Sequence, residues 1–124
     1  EHVDEITLVE SYPPSASDAL VNLAHCPNMT VIEGGVEAVL PEREGRFDAA
    51  VGEPPSAGVS AEAISSIAAA GVNRLVYVSD DPATLARDAR TLARRGFTLT
   101  QVRVIDLMPQ TAFIDSIALF ERRG

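Results

Sequence analysis

Three acidic residues of this 124-residue chain follow strand-like runs, and each stands where an α/β sheet would present it at an edge. Glu10 closes the run Glu5 to Glu10. A carboxylate can accept two hydrogen bonds at once, so an acid at the end of a strand in a nucleotide-binding α/β fold commonly holds ribose hydroxyls. A solvated strand-end acid fits the same spacing equally well. Glu53 is followed by Pro54, Pro55 and Ser56. Each proline fixes φ and neither can donate to a ladder, so this is a stiff turn that holds its carboxylate at the sheet edge. Asp80 follows the run Val76 to Ser79, just before Asp81-Pro82 opens a helix; in open α/β sheets such a strand-to-helix edge is where ligands bind. The single cysteine, Cys26, falls at a helix end with no base beside it and reads as a packing residue. One cysteine rules out an internal disulfide and a cysteine-based zinc site, and His2 and His25 form no metal-binding spacing.

The elements that must carry these groups follow from periodicity. Leu75 to Val78 is a short β-branched and aromatic strand, and Pro82 suits the first turn of the helix behind it. Asp81 is the expected N-cap; Leu85, Ala89, Leu92 and Ala93 recur at helical spacing, Arg94 and Arg95 occupy the last turn, and Gly96 supplies the left-handed stop. Arg87, Arg90 and Arg94 form a basic stripe, of the kind that is most often a solvated face. Upstream, Glu5 to Glu10 and Met29 to Glu33 read as strands. The helix between them is capped by Ser15 or Ser17 and runs to about His25, with Ala16, Ala19, Leu20 and Leu23 inward. Gly34-Gly35 turns into a short apolar segment, Pro41 to Arg46 is a charged loop, and Phe47 to Gly52 is a third strand. Ser60 caps a helix over 61–70. Beyond Gly96, Phe97 to Leu107 and Ala112 to Arg122 are strands joined by a turn.

Composition bounds the partners. At 46% apolar, the chain is long enough for one domain with one core. Ten arginines against eighteen acids give a net charge of −8, which repels a phosphate backbone. RNA binding would therefore need a local basic patch or another domain. No apolar run is long enough to span a bilayer and no leader precedes the first strand, so a reducing cytoplasm is the default expectation, without membrane attachment.

Two stretches carry a resemblance. Val76 to Asp88, VYVSDDPATLARD, is similar to the Y-V-S-C-[ND]-P-x-T-L-x-R-D signature of the RNA (uracil-5-)-methyltransferases, a class I S-adenosylmethionine-dependent family. Asp106 to Asp115, DLMPQTAFID, resembles that family's D-[ML]-F-P-x-T-x-H-[VI]-E, and Glu53-Pro54-Pro55-Ser56 resembles its D-P-P-R. The similarity runs from about Ile6 to Arg122. Where the family has its nucleophilic cysteine this chain has Asp80; where it has its general base, Asp115; where it has its His, Phe113; and its D-P-P-R arginine is here Ser56.

The resemblance implies an α/β, Rossmann-like class I methyltransferase sheet with helices on both faces, spanning residues 1–124 as one domain. The first strand and glycine-rich loop of that fold are missing from the sequence. Closing such a sheet requires either that the second and fourth strands of the family order pair directly or that a neighbouring chain or a longer parent supplies a strand; where a neighbouring chain supplies it, a homodimer is the expected form. By resemblance the catalytic positions are Asp80 and Asp115. The S-adenosylmethionine positions are Glu10 and Glu53, and the target base lies under Pro54, Pro55 and Ser56. The family's reaction adds a thiolate to carbon 6 of uracil, and a carboxylate is a weak nucleophile towards a conjugated ring. The expectation is a methyltransferase-like domain without uracil-C5 activity. The alternative is an active S-adenosylmethionine-dependent RNA methyltransferase completed by a longer parent or a partner chain.

Overall fold

A computed structural model describes residues 3–107, 109–111 and 114–123. The chain divides into two compact units, Glu1–Arg43 and Glu44–Gly124.

In the first unit, β1 (Ile6–Glu10) and β2 (Met29–Glu33) run parallel, with Ile6 opposite Met29 and Glu10 opposite Glu33. Between them lies α1 (Pro13–Asn22), and α2 (Val36–Val39) runs into a 3-10 turn, Leu40–Glu42. The helix α1 starts earlier than a Ser15 or Ser17 cap would place it. Pro13 and Pro14 fill its first turn, where a fixed φ is already helical and a missing N–H costs nothing, so no side-chain cap is needed. It also ends before His25: the Cys26 N–H bonds to the Leu23 carbonyl at 2.9 Å in a tight turn ahead of Pro27, and a residue preceding proline is steered out of the helical region. Of its expected apolar face Ala16 is buried, while Leu20 is 56% exposed.

The second unit holds β3 (Ala49–Gly52), α3 (Ala61–Ala69), β4 (Arg74–Ser79), α4 (Pro82–Arg94), β5 (Phe97–Ile105) and β6 (Asp115–Arg122). Its strand order is β3-β4-β6-β5, with β3 parallel to β4 and β6 antiparallel to both β4 and β5. This is the mixed α/β sheet that the resemblance implies. Alternation along β4 decides where the core sits. Leu75, Tyr77 and Ser79 are buried and stand opposite the buried Phe120, Ala118 and Ser116 of β6. Ile64 of α3 and Leu85 and Leu92 of α4 pack with that face, joined by Val72 and Phe97. Tyr77 meets Phe120 edge-on, ring centroids 6.4 Å apart. The Arg122 guanidinium lies 5.2 Å from the Phe97 ring centroid and donates to the Ala68 carbonyl at 2.9 Å, tying the end of β6 to both β5 and α3. Gly96 stops α4 at φ +87°, as its position predicts.

Among the described residues β1 pairs with β2 in the first unit, and β3 pairs with β4 in the second. Along β5 only Phe97 is buried, and an irregularity between Leu99 and Gln101 shifts its register against β6. No helix among the described residues is long and apolar enough to cross a membrane.

Candidate functional site

The carboxyl edge of the second unit gathers the residues singled out by sequence. Where β4 ends, the Ser79 hydroxyl accepts from the Asp81 N–H at 3.1 Å and donates to the Asp81 carbonyl at 2.9 Å. This small turn presents Asp80 beside the first turn of α4. Asp81 then caps the helix, its Oδ1 accepting from the Thr84 N–H at 2.9 Å.

Asp80 and Ser56 touch. The Ser56 hydroxyl donates to Asp80 Oδ2 at 2.8 Å, so two of the positions at which the chain departs from the family motifs are in direct contact. Asp115 opens β6, and because Ser116 stands opposite Ser79, it lies at the strand end neighbouring Asp80. No hydrogen bond or ion pair joins the two carboxylates among the described residues. Glu53 is exposed just past the end of β3, Pro54 is half-buried, and Pro55 is exposed. Phe113, at the position of the family's His, lies outside the described residues.

In the first unit, Glu10 ends β1 and its Oε1 accepts from the Tyr12 N–H at 2.8 Å. That bond fixes the carboxylate at the start of α1 and leaves its second oxygen for another donor. Among the described residues no group of His, Cys, Asp and Glu is placed to hold a metal ion.

Beneath the Ser56–Asp80 contact lies a set of polar residues that sequence reasoning passed over. Asp88 is 1% exposed on the inner side of α4. Its Oδ2 accepts from the Tyr77 hydroxyl at 2.6 Å and from the Val59 N–H at 2.8 Å. Its Oδ1 accepts from Arg87 Nε at 3.0 Å and Nη2 at 2.8 Å. A buried carboxylate is tolerated only when its lone pairs are met, and here four donors meet them. Burial, and after it the hydrogen bond and charge of Asp88, push the Tyr77 phenol far above its ordinary range. The sequence held one signal: Asp88 stands three residues after Leu85 and four before Leu92, on the stripe that must face the core. Arg87 is correspondingly not part of a free basic stripe, since its guanidinium is committed to Asp88 and to the Ala57 carbonyl.

No family model matches the chain. An uncharacterized RNA methyltransferase of Streptomyces coelicolor is 36% identical over 115 residues, 91% of this chain and 25% of that protein. The 23S rRNA (uracil(1939)-C(5))-methyltransferase of Pseudomonas aeruginosa is 44% identical over 84 residues, 68% of this chain and 18% of that protein. Among solved structures, the Pyrococcus abyssi tRNA (uracil-54, C5)-methyltransferase in complex with S-adenosyl-L-homocysteine superposes with a TM-score of 0.79 at 20% identity, over 94% of this chain and 28% of that one. The precorrin-6y C5,15-methyltransferase of Geobacter metallireducens gives a TM-score of 0.75 at 16% identity, over 95% of this chain and 67% of that one. These likenesses in structure establish the fold. The chain spans about a quarter or less of the curated relatives it matches, and with that span it is homologous to RNA methyltransferases that include the uracil-C5 enzymes.

Proposed function

We propose that this chain is a methyltransferase-like domain, related to the RNA uracil-C5 methyltransferases, that does not perform their reaction. The observation that carries the reading is the 2.8 Å hydrogen bond from Ser56 to Asp80. Uracil-C5 chemistry starts with a soft nucleophile at carbon 6, which makes carbon 5 reactive, and ends with a base removing the carbon-5 proton. At position 80 the chain offers a hard carboxylate engaged by a hydroxyl. Asp115 retains an acceptor at the base position, one methylene shorter than Glu, and a displacement of that size can cost about a hundredfold in rate.

S-adenosylmethionine, which supplies an electrophilic methyl group when bound, is the cofactor proposed for the fold. Glu10 suits its ribose: a carboxylate fixed through one oxygen by the Tyr12 N–H can accept from hydroxyls through the other. In the second unit, Glu53, exposed past the end of β3, is proposed as a cofactor residue on its own sheet edge. RNA contact is proposed to need another domain, because the net charge is −8 and Arg87 is already engaged.

Incubation with S-adenosylmethionine and uridine-containing RNA, followed by digestion to nucleosides, is expected to yield no 5-methyluridine. Its appearance would overturn the proposal. A second reading, an active RNA methyltransferase completed by a longer parent or partner, is favoured by one fact: the chain spans 25% or less of its relatives' length. That reading requires 5-methyluridine, or another methylated nucleoside, once the missing portion is supplied.

A further inference from the structure

We infer that Arg87 and Asp88 are positioning residues: they hold the loop 53–58 so that Ser56 is seated on Asp80. The inference rests on the reading of Pro54, Pro55 and Ser56 as the substrate edge, and the contacts behind it are independent of any chemistry at residue 80.

The loop has little to hold it by itself. Its one internal backbone bond runs from the Gly58 N–H to the Pro55 carbonyl at 2.7 Å, and neither Pro54 nor Pro55 can donate. What fixes it comes from one face of α4. The Thr84 hydroxyl donates to the Ser56 carbonyl at 2.9 Å. One turn further on, Arg87 Nη2 donates to the Ala57 carbonyl at 2.6 Å. Asp88 accepts from the Val59 N–H at 2.8 Å. Thr84, Arg87 and Asp88 lie three and four residues apart, the spacing that stacks side chains on one helical face, so a single rigid element grips the loop at Ser56 and Ala57 and its exit at Val59.

Asp88 makes the grip stiff. Burial removes water as a competitor for its oxygens, and Tyr77 holds it from the sheet while Arg87 holds it from the helix. Gly58 reports how close the approach is. It adopts φ +86°, and a Cβ there would run into Arg87, Asp88 and Thr84 together. The same six-residue stretch then delivers Ser56 to Asp80. Arg87 and Asp88 make no hydrogen bond to Asp80 or to the Ser56 hydroxyl, so their action is on placement.

The test reads placement directly and needs neither RNA nor cofactor. In the full chain carrying Cys26→Ser, the pair Ser56→Cys and Asp80→Cys is introduced, and its disulfide is equilibrated against glutathione to give the effective concentration of one thiol at the other. Adding Arg87→Lys, which keeps the charge but loses the planar fork, is expected to lower that effective concentration by about tenfold. Thr84→Val, a milder change that leaves the core untouched, is expected to lower it by about threefold. An effective concentration unchanged by both variants would overturn the proposal, even if either lowers the melting temperature, because a merely structural role moves stability and not local placement. The formation of 5-methyluridine would overturn the reading of Asp80 in the preceding section and leave this equilibrium where it is.

Discussion

Two carboxylates at strand ends, Glu10 and Asp80, stand in differently built surroundings. Glu10 is oriented by one backbone N–H in a unit whose sheet has two strands and whose buried apolar residues, among those described, come to Ala16 alone. Asp80 stands at the end of the most buried strand of a four-stranded sheet. It is backed by a packed core from Ile64 to Phe120 and by the Tyr77–Asp88–Arg87 network. A four-stranded sheet with a helix-covered apolar face supports itself, so the second unit holds Asp80 on a packed scaffold, whereas Glu10 is held by the turn into α1.

The contrast is sharpest in core substitutions. Leu92, 0% exposed, is expected to cost about 2–5 kcal/mol on Leu92→Ala, whereas Leu20→Ala at a 56% exposed position is expected to stay within about 0.5 kcal/mol; chemical denaturation of both variants checks the pair. Comparable losses would erase the distinction between the units. Next, Asp88→Ala strips the acceptor from four donors and leaves the Tyr77 hydroxyl buried without it, for an expected loss of about 3 kcal/mol in the same assay.

Tyr77→Phe is expected to cost roughly 2 kcal/mol at neutral pH, the order of a hydrogen bond to a charged acceptor. It also has a pH signature. The folded phenol titrates above its ordinary value of 10, so the unfolded chain ionises first. The stabilisation is intact below about pH 10 and is lost as pH rises beyond it towards the raised value. Denaturation midpoints should therefore fall more steeply above pH 10 for the native chain than for Tyr77→Phe, and parallel curves would contradict the assignment. The smallest effect belongs to the cap. Asp81→Ala removes the bond to the Thr84 N–H and is expected to cost about 1 kcal/mol.

What the sequence made legible was local. Asp81, Pro82 and Gly96 mark α4 because capping and left-handed stops are decided by the residue and its immediate neighbours. The limits of β2 and the Ser60 cap of α3, whose hydroxyl accepts from Ala63 N–H at 3.0 Å, were equally readable. α1 begins at Pro13, ahead of the Ser15 and Ser17 caps that the sequence suggests, because two prolines suit a first helical turn as well as a loop. The candidate site was half legible: motif positions pointed to Asp80, Ser56 and Asp115. The Ser56–Asp80 contact and the grip of α4 on Ala57 and Val59 join residues 24 to 30 apart, and no periodicity encodes such pairs.

The most direct measurement on the central claim is mass spectrometry of covalent complexes formed with S-adenosylmethionine and saturating 5-fluorouridine, a probe without a phosphate backbone that needs no RNA-binding domain, for the native chain and for Asp80→Cys side by side. The expected result is an adduct with the variant and none with the native chain, because the loop and Asp115 remain in place and only the nucleophile has changed. An adduct with the native chain, or none with either, would contradict the claim that the residue at position 80 is what separates this domain from the chemistry of its relatives.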